Sequence, residues 1–336
     1  MNQAVDVKKS ILVVTLVVFC VRFMLADSTS GLIIHAADHQ VLITEAHPVL
    51  DTDQEITSFT IPLKRAGNLM LVDALVDGLP GNLIFDTGSS RIVLNAIYFR
   101  QGRKVNNQVS AGVTGVSGPI SQTGIDKILI SEIEYRKLMA DVTDLGHIEK
   151  ARNTKVLGLF GFSLFAEYEI VLDLQKSQVV LHKIDYNGNR KMQEATVNFD
   201  LEIPITQVSG IVFIEARMAN KRCTFCIDTG AETNVLSNKL PTKILNSLTV
   251  LRRTKLRGAG SQSTEALFCL MNDFSIGKHR FSDMNALVTN LSHMTYAYGF
   301  FIDGMLGNDF LEKGVFCFNL TKNKLGVNFV VSSHEE

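Results

Sequence analysis

One turn occurs twice in this chain, and the repeat constrains the fold more than anything else in the sequence. In Leu83-Ile84-Phe85-Asp86-Thr87-Gly88-Ser89-Ser90 an apolar run delivers a carboxylate into a tight Thr-Gly turn. Small hydroxyl residues follow, and a second apolar run, Ile92-Val93-Leu94, resumes. The pattern returns 142 positions later as Cys226-Ile227-Asp228-Thr229-Gly230-Ala231-Glu232-Thr233-Asn234-Val235-Leu236. A lone Asp-Thr-Gly is a weak signal, most often an aspartate closing its own turn. Two copies in matched apolar frames point to a duplicated unit that presents one carboxylate per copy.

The echo runs well beyond the turn. Ile61-Pro62-Leu63 corresponds to Ile203-Pro204-Ile205, and Met70-Leu71-Val72-Asp73-Ala74 to Val212-Phe213-Ile214-Glu215-Ala216, at the same offset of 142. Downstream the offset becomes 146, through Val142-Thr143 and Val288-Thr289, Leu145 and Leu291, Gly161 and Gly307, and Leu172-Asp173-Leu174 and Phe318-Asn319-Leu320. A short insertion in the second copy accounts for the change. A repeat this long exceeds a solenoid unit and suits two small globular domains. The segments Phe59 to Leu63, Leu69 to Val76, Gly124 to Ile130, Tyr168 to Leu174 and Gln178 to Leu181 read as short strands bounded by turn residues. Lys176-Ser177 and Lys322-Asn323 fall where hairpin turns belong. Helical pattern is brief, over 238–248 and 89–98. The fold class expected is mainly β, with two tandem barrel-like lobes related by a pseudo-twofold axis.

The division that follows is a targeting segment over 1–26, a linker or leading segment over 27–55, a first lobe over 56–183, a linker over 184–198 and a second lobe over 199–330. Lys8-Lys9 precede the apolar run Ile11 to Val21, which has the length of a signal-peptide core and falls short of a membrane span. Cleavage near Ala26 and an uncleaved membrane anchor both fit, and either places the protein in a secreted, periplasmic or envelope location. A formal net charge of −1 over 336 residues gives no electrostatic case for nucleic acid. The local run Arg252-Arg253-Thr254-Lys255-Leu256-Arg257 reads as a solvated strand edge.

The two apolar-apolar-Asp-Thr-Gly-Ser/Ala turns, followed by Leu159-Phe160-Gly161 and by Met305-Leu306-Gly307-Asn308-Asp309-Phe310-Leu311, resemble the aspartic peptidases. The retroviral-type (retropepsin-like) branch is the closer resemblance. It covers roughly Ile56 to Val330, most closely Asp228 to Leu236. Retroviral-type enzymes usually carry one such unit per chain and dimerise, so this chain looks like that dimer fused. The resemblance implies that Asp86 and Asp228 are the catalytic pair. Thr87, Gly88, Ser89, Thr229, Gly230 and Ala231 would form the supporting turns, with the threonines bonded across the axis. Glu232 falls where the family places an acidic residue against the substrate backbone, whereas the first copy has Ser90. The stretches containing Gly112 and Gly115, and Gly258 and Gly260, fall where the family has a β-hairpin flap over its substrate.

The chemistry follows from the residue types. Two carboxylates held together cannot both ionise easily, so one keeps a proton and the other acts as base. The base takes a proton from water while the acid polarises the scissile carbonyl. No metal or organic cofactor is required. Cys223-Thr224-Phe225-Cys226 has C-x-x-C spacing, yet residues three apart on a strand point to opposite faces, and no second pair completes a zinc site. Buried thiols are the stronger reading for Cys223, Cys226, Cys269 and Cys317, with a disulfide among them the other. Neither HExxH, GxSxG nor a phosphate-binding glycine loop is present. The expected function is an aspartic endopeptidase acting on a peptide or protein substrate, as a monomer with intrachain lobe pairing. The alternative is a catalytically inactive peptide-binding protein that keeps the cleft.

Overall fold

The computed structural model describes residues 14–15, 20–24, 56–99, 103–112, 115–192, 197–257 and 263–330. The duplication is visible strand by strand. Leu69–Val76 and Leu79–Phe85 form an antiparallel pair in the first lobe, and Ile211–Met218 and Lys221–Ile227 repeat it in the second. In each lobe the second strand of the pair ends at the Asp-Thr-Gly turn. Beyond the turn, Val93–Asn95 and Asn234–Ser237 re-enter the sheet. Val156–Phe160 and Gly304–Leu306 then run parallel to the strands that carry the aspartates.

These central strands are apolar at successive positions because both of their faces are covered. Leu83 and Phe85 belong to the large core, while Ile84 faces a smaller cluster with Leu69, Val93 and Leu159. In the second lobe Phe225 and Ile227 join the large core, and Cys226 points the other way toward Val235, Leu287 and Met305. The same alternation sends Cys223 and Cys226 into different cores, and Cys223, Cys226, Cys269 and Cys317 are all buried thiols outside any disulfide. Burial on two faces fixes the end of each strand, and hence the place of each aspartate.

Among the described residues the two lobes form sheets of nine and eleven strands. A third sheet of six strands joins them. Leu201–Pro204, Lys324–Phe329 and Gly314–Asn319 come from the second copy, and Tyr168–Asp173, Gln178–Lys183 and Ser58–Pro62 from the first. The strands on either side of the seam pair antiparallel, with Ile170 opposite Phe318 and Leu172 opposite Phe316. The segment between the lobes is partly folded onto this sheet. Asp185 accepts from the backbone of Asn187 and Asn189, and Gly188 is buried with its carbonyl taking Asn319 Nδ2 at 2.8 Å. Arg190 pairs with Glu169 at 2.5 Å, while Tyr186 and Met192 remain exposed.

The helices differ from expectation. Over 89–98 the chain makes a short strand, because Val93 and Leu94 pair with residues of 141–143 and 156–160 and their side chains are buried. Over 238–248 only Thr242–Leu245 is helical. The longer helices are Gly146–Arg152 and Ser292–Tyr298, matched at the offset of 146 and closed by left-handed Asn153 and Gly299. In the N-terminal apolar run, Val14–Thr15 and Cys20–Met24 are short strands. The first pairs with Leu256-Arg257 and the second with residues 108–111. The rest of 1–55 lies outside the described residues. No helix among the described residues is long and apolar enough to cross a membrane.

Candidate active site

The two turns meet at the seam between the lobes and are tied reciprocally. Thr87 N–H donates to Thr229 Oγ1 at 3.0 Å, and Thr229 N–H donates to Thr87 Oγ1 at 3.0 Å. Each hydroxyl then donates to the strand that carries the opposite aspartate: Thr87 Oγ1 to the Ile227 carbonyl at 2.8 Å, Thr229 Oγ1 to the Phe85 carbonyl at 2.7 Å. Both threonines are fully buried, so these bonds form in a low-dielectric setting where unmet groups are costly. The equality of the two halves places the pseudo-twofold axis between the threonines.

Each aspartate is held from behind. Asp86 N–H donates to the Phe160 carbonyl at 2.8 Å and Asp228 N–H to the Leu306 carbonyl at 3.0 Å. Asp86 Oδ1 accepts from Gly88 N–H at 3.0 Å, and Asp228 Oδ1 from Gly230 N–H at 2.8 Å. Gly88 is required by closeness: a Cβ there would lie 2.7 Å from Asp228 Cγ. Gly161 and Gly307 serve the same end one layer down, since a Cβ would lie 2.0 Å from the Ser89 carbonyl oxygen or 2.4 Å from that of Ala231. Neither Gly88 nor Gly230 has positive φ, so these turns use glycine for space rather than for handedness.

Both carboxyls are fully buried, and Oδ2 of each has no hydrogen-bond partner. Burial, followed by repulsion from and contact with Asp228, holds Asp86 well above the usual carboxylate range against the pull of Gly88 N–H. Asp228 is pushed up to about 7 by burial, while its contact with Asp86 and the N–H groups of Gly230, Ala231 and Gly88 pull it down. Their shared contact raises Asp86 and lowers Asp228. Both are raised by burial, so the two carboxyls together hold one proton that belongs to the pair.

Among the other expected site residues, Ser89 and Ala231 are small and buried at the floor, with Ser89 Oγ donating to the Arg91 carbonyl at 2.7 Å. Glu232 spans the lobes: its carboxylate forms an ion pair with Arg152 of the first lobe and accepts Asn68 N–H at 3.2 Å. Gly112 and Gly115 face each other at the end of the hairpin formed by Arg103–Gly112 and Gly115–Ile130. Gly258 and Gly260 lie outside the described residues, between the paired strands Leu248–Arg257 and Ser263–Met271. Among the described residues no three His, Cys, Asp or Glu side chains gather as a metal site. A cavity of about 440 Å³ lined by Glu169, Arg190, Cys317 and Lys324 opens at the joint sheet, not at the aspartates.

Sequence reasoning missed Arg152 and Asn68, whose partner Glu232 is 80 and 164 positions away. It also missed Arg65, which reaches Asn308 Oδ1 at 2.9 Å from the other side of the seam.

Residues 214–310 match the family model described as aspartyl protease. The match lies within the second lobe. The matched span carries Asp228, its turn, the helix Ser292–Tyr298 and Gly307, and the first lobe repeats these elements at offsets of 142 and 146. An aspartic proteinase from Irpex lacteus is similar in structure, with a TM-score of 0.48 and 14% identity, over 82% of this chain and 98% of that one. None of the curated proteins compared with the chain matches it.

Proposed function

We propose that the protein is an aspartic endopeptidase in which Asp86 and Asp228, one from each lobe of a single chain, activate one water between them. The observation that carries this reading is the reciprocal threonine tie, which brings two buried carboxyls into contact with an unpartnered Oδ2 on each. The resting pair shares one proton; with it on Asp86, Asp228 is the base. Asp228 accepts a proton from water, the resulting hydroxide attacks the peptide carbonyl, and Asp86 donates its proton to the carbonyl oxygen. The gem-diol then collapses: Asp86 takes a proton back from one hydroxyl, the proton taken by Asp228 passes to the leaving nitrogen, and the C–N bond breaks to give acid and amine.

The substrate runs extended across the seam and pairs its backbone with the two hairpins. The lobes of one molecule complete the site, because a tether keeps them at roughly millimolar effective concentration. The apolar run near the N-terminus directs the protein to a secreted, periplasmic or envelope-anchored location.

The test is turnover of a diverse peptide library by the wild-type chain and by Asp86→Asn and Asp228→Asn, with circular dichroism confirming the fold. Hydrolysis by the wild type alone supports the reading. Equal turnover in either variant rejects the paired mechanism, and peptide binding without any turnover favours an inactive peptide-binding protein.

A further inference from the structure

Of the four charged residues in the two turns, two form the buried pair and Glu232 is consumed by Arg152. The fourth is Arg91, five positions beyond Asp86. Its backbone is fixed to the turn by the Ser89 hydroxyl. Its side chain stays 30% exposed, and among the described residues its ionic contact is with Asp141 Oδ1 at a long 3.8 Å. The same oxygen already accepts Gln122 Nε2 at 2.9 Å, and Asp141 itself is buried. Gln122 lies on Gly115–Ile130, a strand of the first-lobe hairpin. The three side chains therefore link the aspartate turn to the base of that hairpin, carboxylate inward and guanidinium outward. A guanidinium has five N–H donors, and a single long contact leaves most of its capacity unused.

The second lobe has nothing equivalent. Its matching position is Thr233, neutral and buried, whose hydroxyl donates to Asp309 Oδ2 while Asn285 Nδ2 donates to Asp309 Oδ1 at 2.9 Å. The turns thus present one partly exposed cation on the first-lobe side and none on the other.

We infer that Arg91 selects peptides carrying an acidic side chain on the first-lobe side of the scissile bond, an inference that rests on the peptide-hydrolysing reading above. In an extended peptide alternate side chains face the same way, so one cation addresses one register position. Because the second lobe is neutral there, the preference is one-sided and fixes the direction in which the peptide lies.

The experiment compares kcat/KM of the full chain on peptide pairs that differ only as Glu and Gln at each position in turn. One position is expected to favour Glu by about fivefold, the size of a partly exposed charge pair. The preference should appear in KM more than in kcat, because the contact is present in ground and transition states alike. R91K should keep the preference, R91Q should lose it and R91E should turn it toward Lys. A Glu preference that survives in both R91Q and R91E, or its absence from the wild type, overturns the inference. A parallel arm measures fluorescence anisotropy of the labelled Glu and Gln peptides on Asp86→Asn protein, with and without R91Q. Asp86-dependent hydrolysis without any Arg91 effect overturns this inference alone. Arg91-dependent binding without hydrolysis by the wild type sustains selection by Arg91 and removes the peptidase reading.

Discussion

Replacing Thr229 with Val keeps the side-chain shape and removes one hydroxyl, so it isolates the threonine tie. Two hydrogen bonds are lost: the 3.0 Å bond from Thr87 N–H and the 2.7 Å bond to the Phe85 carbonyl. Their partners sit where Thr87, Phe85 and Thr229 are all fully buried. A buried group left without a partner costs about 1–3 kcal/mol, so the pair of losses should cost about 2–6 kcal/mol, with about 4 as the central expectation. Against a domain stability of about 5–15 kcal/mol that is a large fraction. Urea denaturation followed by circular dichroism reads it as a fall in the midpoint with unchanged slope. Thr229→Ser keeps the hydroxyl and loses only a methyl, so it should cost about 1 kcal/mol. By the pseudo-twofold symmetry, Thr87→Val should match Thr229→Val. A Thr229→Val protein within about 0.5 kcal/mol of wild type, or a Thr229→Ser protein as unstable as it, would refute the reasoning.

Two further outcomes follow from the seam and the aspartates. Arg152→Met removes the cation from a pair whose side chains are 18% and 8% exposed, which leaves the Glu232 charge buried; a cost of about 3–5 kcal/mol is expected, read by the same urea assay and eased in the double variant with Glu232→Gln. Both aspartates have raised values in the folded state, so between the ordinary carboxylate value of 3.8 and about 7 the folded chain binds more protons than the unfolded one. Their contribution is therefore fully present at low pH and is lost as pH rises through about 7. Relative to wild type, Asp228→Asn should gain more stability at pH 8 than at pH 4, and a pH-independent difference in urea midpoint would contradict the raised value.

The sequence displayed what depends on local repetition. Apolar runs buried on both faces, the Asp-Thr-Gly turns and the glycines that let segments touch recur at fixed offsets, so the mainly β, two-lobed architecture and the central pair could be read from them. The helix expected over 89–98 failed because Val93 and Leu94 are claimed by strands of 141–143 and 156–160, an alternative that periodicity in a short window does not see. The helices Gly146–Arg152 and Ser292–Tyr298 are seven residues each and escape the same windows, although left-handed Asn153 and Gly299 mark their ends. The partner of Glu232 was not legible, because Arg152 comes within reach only once the lobes have docked. The joint six-stranded sheet was hidden for the same reason, since Ile170 and Phe318 are brought together by tertiary structure alone.

The central claim is that one chain closes one site from its own two halves. The direct measurement co-refolds Asp86→Asn protein with Asp228→Asn protein and assays the mixture on a peptide that the wild type hydrolyses. If the lobes pair within the chain, every molecule keeps one disabled aspartate, and the mixture stays as inactive as either variant alone. If lobes exchange between chains, some sites receive an intact Asp86 from one molecule and an intact Asp228 from another. Recovery of turnover toward a quarter of the wild-type level, roughly the share of sites that random re-pairing of two tethered halves would restore, would contradict the account.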